Sequence, residues 1–330
     1  MHDPQVTVVI VTYKSAVLTV KCLASICSER DRGGAQVSVL VVDNASGDLP
    51  HIRRAIEERG WAAWVTLIAA PKNGGFAYGN NLGIRAALEL AHPDYIWLLN
   101  PDTEARPNAL GALLKFLESH PVVGIVGSSF ETEDRQDWPF AFRFPTVMSE
   151  IEHGMQLGLI TRLLSRWMVA RPMGSAAEPT DWVSGASMMI RREVFFAVGC
   201  LDENFFLYFE ETEFCYRASR AGFATWYVPE SRVMHMIGKS TNLNEESRFR
   251  SRLPAYWFDS RRWYHMATRG RAFSIAMDAV SVIANSFGLL KRTLQGRPST
   301  PHYIRDLIAH SAIFSRNRKV TQLQTYFPAP

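Results

Sequence analysis

The residues best suited to chemistry form two acidic clusters about a hundred positions apart. The first is Asn100-Pro101-Asp102-Thr103, directly after the apolar run Tyr95-Ile96-Trp97-Leu98-Leu99. Mg²⁺ and Mn²⁺ prefer oxygen ligands, and a diphosphate supplies several, so one carboxylate at a strand end can complete such a shell. Asp102 reads equally well as a helix cap or an Asx turn. The second cluster is Glu210-Glu211-Thr212-Glu213, framed by Phe205-Phe206-Leu207-Tyr208-Phe209 and Phe214-Cys215-Tyr216. Neighbouring side chains on a helix diverge by about 100°. One of Glu210 and Glu211 can therefore face a site while the other is held by structure. Burial among aromatic rings raises a carboxyl pKa and improves it as a general base. An acidic first turn on a helix dipole is the plainer reading of the pair taken alone.

Four further clusters are polar islands between apolar runs. Asp43-Asn44-Ala45-Ser46 can accept hydrogen bonds from a pyrimidine ring or a ribose, or simply cap the next helix. Asn73-Gly74-Gly75-Phe76-Ala77-Tyr78-Gly79-Asn80-Asn81 lets backbone approach a ligand closely, and the helix start behind it favours anions. No Gly-Lys-Ser/Thr follows, so it is not a Walker loop. Trp182, Ser184 and Gly185 precede Met188-Met189-Ile190, and the Trp reads as a sugar-stacking floor or as a buried aromatic at a strand start. His235 reads as a second metal ligand or as an ordinary hydrogen-bonded histidine.

The elements that must position these groups alternate. Val6–Val11, Gln36–Val42, Trp64–Ile68 and Tyr95–Leu99 are apolar runs of the kind buried on both faces of a parallel sheet. Helical segments near 15–28, 52–59 and 77–90 separate them, and another opens after Arg106-Pro107-Asn108, where proline suits the first turn. This order predicts a doubly wound, mostly parallel α/β sheet. In such sheets ligands bind beyond the carboxyl ends of the strands. Thr12-Tyr13, Asp43-Asn44, Asn73-Gly74 and Asn100-Asp102 all fall at such ends. Beyond these, 150–170 is expected to be a helix and a mobile flap. Two long helices are expected over 245–295, broken at Arg269-Gly270, and a third over 302–315.

Composition excludes a disordered chain, with 47% hydrophobic and 21% charged residues among 330. Cys22, Cys27, Cys200 and Cys215 lack zinc spacing and read as free thiols in a reducing cytoplasm. No targeting segment is visible at the start. The net charge of +4 is uneven: residues 1–230 carry 20 basic against 27 acidic side chains, and residues 231–330 carry 16 against 5. In that tail, Arg248, Arg250, Arg252, Arg261, Arg262, Arg269 and Arg271 alternate with Tyr256, Trp257, Phe258, Trp263 and Tyr264. Arginine with Trp and Tyr suits an anionic membrane interface. Helices packed on the rest of the chain, or on a second copy in a homodimer, explain it as well. No nucleic-acid fold signature accompanies it. Ala272–Leu290 contains Asp278 and Asn285, which makes it a poor bilayer span and a better surface helix.

Taken in order, these motifs resemble the family-two inverting glycosyltransferases of the GT-A fold, in particular their bacterial rhamnosyltransferase-like branch. The resemblance rests on Val8–Tyr13, Val41–Ser46, Asn73–Phe76, Leu98–Thr103, Trp182–Ala186 and Leu201–Glu211, and it covers about residues 5–241. It implies a Rossmann-like catalytic domain at 1–241, with a nucleotide-binding half at about 1–127 and an acceptor-side half at about 128–241. A basic, aromatic-rich helical extension at 242–330 would follow. It assigns the nucleotide-sugar donor to Thr12, Tyr13, Asp43, Asn44, Ser46, Asn73, Gly74, Gly75, Phe76, Asn80 and Asn100. Asn100-Pro101-Asp102 stands where the family has its Asp-x-Asp motif, with Asn100 replacing the first Asp. Asp102 becomes the main ligand for Mg²⁺ or Mn²⁺, His235 a second, and Glu211 the general base with Glu210 as its alternative. The implied reaction moves L-rhamnose from dTDP-L-rhamnose to a glycan or lipid-diphosphate-linked acceptor, as in O-antigen and other surface polysaccharides. That would place the chain in the cytoplasm, at the inner face of the membrane. A UDP-sugar donor, or an inactive nucleotide-sugar-binding scaffold subunit, is the competing reading. A nucleotidyltransferase would need a basic glycine loop after the first strand, and Val11-Thr12-Tyr13-Lys14-Ser15 is not one.

Overall fold

The computed structural model describes residues 3–134, 136–138, 140–236, 252–296 and 301–314. Its first half runs β1 (Gln5–Thr12), α1 (Ala16–Asp31), β2 (Gln36–Asp43), α2 (Leu49–Glu58), β3 (Val65–Ala69), α3 (Gly75–Leu90) and β4 (Tyr95–Leu99). The β-branched run of β1 is buried on both faces. Val8 and Ile10 pack with Cys22, Leu23 and Ile26 of α1, while Val9 packs with Ala77, Ile84 and Leu88 of α3. Two-sided burial is what a continuous apolar strand requires.

β5 (Thr103–Ala105), α4 (Ala109–Ser119), β6 (Val123–Glu131), β7 (Asp137–Trp138) and β8 (Phe140–Phe142) follow. Pro107 precedes α4 rather than opening it, because Asn108 occupies the cap with φ of 71°. Then come α5 (Val147–Met155), α6 (Gly158–Leu164), β9 (Ala170–Pro172), β10 (Glu178–Thr180), β11 (Ser187–Arg191), α7 (Arg192–Val198), α8 (Glu210–Arg220) and β12 (Ala224–His235). The single helix expected over 150–170 is thus two. α5 starts earlier, at a reciprocal cap between Thr146 and Ser149, and ends where Gln156 turns left-handed at φ of 50°.

The main sheet has the order β10-β12-β6-β11-β4-β1-β2-β3. β1, β2, β3 and β4 are mutually parallel, and β12 runs parallel to β6. β11 is antiparallel between β4 and β6. The sheet is therefore mixed though mostly parallel, with helices on both faces. An antiparallel strand begins where its parallel neighbours finish. The Trp182–Gly185 turn before β11 consequently lies at the same edge as the end of β4, and Asn100 N–H donates to the Ala186 carbonyl at 3.0 Å.

The C-terminal helices are α9 (Ala255–Arg269), α10 (Arg271–Leu294) and α11 (Pro301–Ala309), with Gly270 at φ of 84° making the break between the first two. They pack on the molecule, although Arg252, Arg269 and Arg271 remain exposed. Arg261 is buried and pairs with Asp278 at 2.6 Å and Glu150 at 3.1 Å. Arg252 pairs with Asp306, and Arg262 with Asp259. Phe258 and Tyr264 are buried, and Trp263 Nε1 donates to Asp202 at 2.7 Å. For the buried Arg261, Phe258 and Tyr264 the packing reading replaces the membrane reading. Arg248 and Arg250 lie outside the described residues.

Candidate active site

Chain order in the parallel half steps outward from β1 to β2 to β3 and returns to β4 on the other side of β1. That reversal opens a crevice beyond the carboxyl ends of β1 and β4. A cleft of about 170 Å³ lies there, and Tyr13, Ser15, Asn44, Asn73, Phe76 and Asn100 help line it. Its loops are strained in a way expected of binding sites, with Lys14 and Ala45 at φ of 55° and 59°.

Asn44 ties the end of β2 to the glycine loop. Its Nδ2 donates to Asn73 Oδ1 and to the Gly75 carbonyl at 3.0 Å, and its Oδ1 accepts from Gly74 N–H at 3.3 Å. Gly75, at φ of 88°, brings backbone against the 205–209 segment, where Phe76 N–H donates to the Phe206 carbonyl at 2.8 Å. A Cβ on Gly75 would lie 1.9 Å from that oxygen, so only glycine fits.

Thr12, Asp43, Ser46 and Asn80, also assigned to the donor, do not line this cleft. Thr12 is fully buried and its hydroxyl joins Ser15, Thr19 and Asp48. Asp43 accepts from Ser46 N–H at 2.9 Å, Ser46 hydroxyl at 2.5 Å and Gly47 N–H at 3.3 Å, so its carboxylate and Ser46 close their own turn. Asn80 is buried and donates to the Phe76 carbonyl within α3. These groups hold loops. Sequence reasoning missed Asp48, which also accepts from Ser15 N–H at 2.7 Å. It lies far along the chain from Ser15, inside an ordinary polar turn, and no spacing marks it.

Asp102 is buried at the end of β4. Pairing of β5 with β12 sets His235 opposite Thr103 and brings His235 Nε2 to 3.4 Å from Asp102 Oδ1. The two expected metal ligands are thus neighbours, although 133 residues apart in sequence. Among the described residues no cluster of three or more His, Cys, Asp or Glu could hold a metal alone. One carboxylate and one imidazole suit an ion whose remaining ligands arrive with a diphosphate.

The 206–211 segment crosses from this cleft into a second one of about 410 Å³. Phe206 and Leu207 line the first; Tyr208, Phe209 and Glu211 line the second. Tyr208 and Phe209 make the turn at φ of 72° and 70°. Two consecutive left-handed non-glycine residues cost on the order of 1–3 kcal/mol each, and such strain persists only when surroundings over-determine it. Here Tyr256, Trp257 and Tyr264 of α9 pack against them, and Ser260 donates to the Leu207 carbonyl at 3.0 Å.

The turn delivers the two carboxylates to different places. Glu210 is buried and lines neither cleft; Glu211 is partly exposed and lines the second. Burial pushes both pKa values up. For Glu210 the adjacent Glu211 charge adds to the rise, while backbone N–H groups oppose it. For Glu211 the N–H of Gly185 is among the opposing groups. Gly185 also lies against Phe76, so the β11 turn, the glycine loop and Glu211 meet. Trp182 lines the second cleft with one face stacked on Phe142 at 4.1 Å and 16°. Ser184 instead closes the turn, accepting from Ala186 N–H at 3.2 Å.

A mixed sheet with helices on both faces and a crevice at the β1/β4 reversal is the architecture of a GT-A glycosyltransferase. A mannosyltransferase from Pyrobaculum calidifontis, solved with GDP-mannose and Mn²⁺, aligns with a TM-score of 0.55 at 17% identity, covering 94% of this chain and 79% of that one. Residues 4–264 match the model for glycosyltransferase-like family 2, and the chain belongs to that family. It is a glycosyltransferase. An N-acetylglucosaminyl-diphospho-decaprenol L-rhamnosyltransferase of Mycobacterium tuberculosis is 28% identical over 250 residues, or 73% of this chain and 78% of the relative. A dTDP-rhamnosyl transferase of Shigella flexneri, RfbF, is 24% identical over 230 residues, or 70% of this chain and 68% of the relative.

Proposed function

We propose that the protein transfers L-rhamnose from dTDP-L-rhamnose to a lipid-diphosphate-linked glycan, with inversion at the anomeric carbon. One observation carries this reading: the 206–211 segment joins the two clefts, with Phe206 and Leu207 lining the smaller and Tyr208, Phe209 and Glu211 lining the larger. The smaller cleft takes the nucleoside diphosphate on Tyr13, Asn44, Asn73, Phe76 and Asn100. Thr12, Asp43, Ser46 and Asn80 act through the loops they hold. The larger cleft takes the acceptor, with Trp182 beneath a sugar ring.

Glu211 removes the proton from the attacking hydroxyl. Its raised pKa makes it a stronger base than an ordinary carboxylate, and among the described residues no side chain hydrogen-bonds its Oε2. The acceptor oxygen approaches the anomeric carbon from the face opposite the leaving diphosphate, so configuration inverts without a covalent sugar–enzyme intermediate. Asp102 and His235 would hold Mg²⁺ or Mn²⁺, which offsets charge developing on the leaving group. The relatives' named substrates support rhamnose and a lipid-linked acceptor.

Titration calorimetry with dTDP, UDP and GDP, each with Mn²⁺ and with EDTA, tests this. The reading expects dTDP to bind most tightly and EDTA to weaken it. Preference for UDP or GDP would replace the donor. Binding of none would favour a scaffold subunit.

A further inference from the structure

α10 is about 36 Å long at 1.5 Å per residue, and among the described residues it alone is long and apolar enough to cross a membrane. Its inner face argues against crossing. Asp278 there is fixed to Arg261 and to Ala312 N–H, and Ser274, Ser281 and Gly288 are buried against neighbouring helices. Its outer face is a different surface. Ile283, Phe287, Leu290 and Leu294 recur at helical spacing and are 57–79% exposed. Asp278 is the one charged side chain from Ala272 to Leu290, so the exposed stripe carries no charge. Single exposed apolar residues are common, but a stripe of four large ones is not.

The patch continues onto α6. Lys291 Nζ and Arg292 Nη1 both bind Gln156, which stands two residues before α6. On α6, Leu159 and Leu163 are 71% and 64% exposed. The surroundings are one-signed: 153–177 contain three arginines and no acid, and 279–305 contain four basic residues and no acid. Arg162 and Arg166 are exposed, and the Arg166 guanidinium lies 3.8 Å over the Trp167 ring. An apolar centre with a basic and aromatic rim matches the hydrocarbon and headgroup layers of an anionic bilayer. A second copy of the chain would bring like charges together at the same rim.

We infer that the α6–α10 face is the surface by which this protein lies on an anionic lipid bilayer. The surface alone points to that partner, and the proposed lipid-linked acceptor explains its position. Ser149, Glu150 and His153 of α5 line the second cleft, and α5 packs on α10 through Gly154 against Ala284 and Gly288. A Cβ on Gly288 would lie 2.2 Å from the Gly154 carbonyl oxygen, so the two helices approach closely. The acceptor cleft is then about one helix diameter, roughly 10 Å, from the bilayer contact.

Vesicle flotation of the full chain tests the inference with neither donor nor acceptor present. Binding is expected to phosphatidylcholine vesicles containing phosphatidylglycerol, weakening with salt, and not to phosphatidylcholine alone. Replacing Phe287→Ser with Leu290→Ser should cut binding about tenfold or more, since each removes a bilayer-buried apolar group. Arg162→Glu with Arg166→Glu should cut it as well. Both variants alter exposed side chains, so their melting temperature and nucleotide affinity should match wild type. No vesicle binding, or variants that bind like wild type, would overturn the inference. So would light scattering that shows a dimer converted to monomer by Phe287→Ser with Leu290→Ser. Because vesicle binding is read without transfer, its failure leaves the rhamnosyl reading standing, and failure of that reading leaves the surface standing.

Discussion

Replacing Glu211→Gln separates the proposed base from everything around it. The amide keeps the shape of the side chain but cannot accept the acceptor's proton. General-base catalysis contributes about 10²–10⁴-fold, so kcat should fall by that factor. That equals a barrier increase of about 3–5 kcal/mol. The fold should not suffer. Among the described residues Glu211 Oε2 has no hydrogen-bond partner, and burial beside Glu210 makes its charged form costly, so a neutral amide relieves repulsion. The nucleotide cleft does not include Glu211, so donor affinity should stay at the wild-type value. Initial transfer rates and calorimetric titration on one preparation read both quantities. Glu210→Gln is the matched control, because Glu210 lines neither cleft. It should keep most activity and move the acid limb of the pH–rate profile downward, since a neighbouring negative charge is gone. A Glu211→Gln rate within tenfold of wild type would refute the reasoning. So would a greater loss from Glu210→Gln.

The same carboxyls make stability pH-dependent. Burial raises Glu210, Glu211 and Glu213 above their ordinary value of 4.5, so between that value and the raised ones the folded chain holds more protons than the unfolded chain. Their contribution therefore falls as pH rises. Urea midpoints should show Glu210→Gln more resistant than wild type at pH 7, with the difference vanishing near pH 4; an equal or larger difference at low pH would contradict the assignment. Asp102→Ala should remove the Mn²⁺-dependent part of nucleotide affinity while leaving the EDTA-resistant part, checked by calorimetry. Gly75→Ala should destabilise by about 2–5 kcal/mol, combining about 1–2 for left-handed backbone with about 1–3 for overpacking against the Phe206 carbonyl. A thermal melt reads it, and an unchanged melting temperature would show that the loop rearranges freely.

Much of the architecture was legible because its signals are local. β1 and β4 are unbroken apolar runs, and buried parallel strands need such runs. The placement of polar islands at strand ends also followed from chain order. Three features were not legible, each for a reason of distance or backbone. β11 runs antiparallel to β4 and β6, and Met188-Met189-Ile190 does not encode direction. Asp43 and Thr12 looked like ligand contacts because their side chains suit a ribose. The structure turns them onto Ser46 and Asp48 through partners that short-range pattern does not fix. Tyr208 and Phe209 adopt left-handed backbone that their types disfavour, and only packing from α9 explains it. In the tail, Arg261 suits a membrane contact by type, but it is buried and paired with Glu150 and Asp278, both distant in sequence. The apolar face opposite those pairs belongs to α10, where sequence had already suggested a surface helix.

The most direct measurement is transfer from dTDP-L-rhamnose to a synthetic N-acetylglucosaminyl-diphospho-lipid with Mn²⁺, reading the anomeric configuration of the product by NMR. The account predicts a rhamnoside of inverted configuration, formed by the wild type and lost with Glu211→Gln. A product of retained configuration would contradict the proposed attack. Equal yield from the Glu211→Gln variant would contradict the role given to that residue.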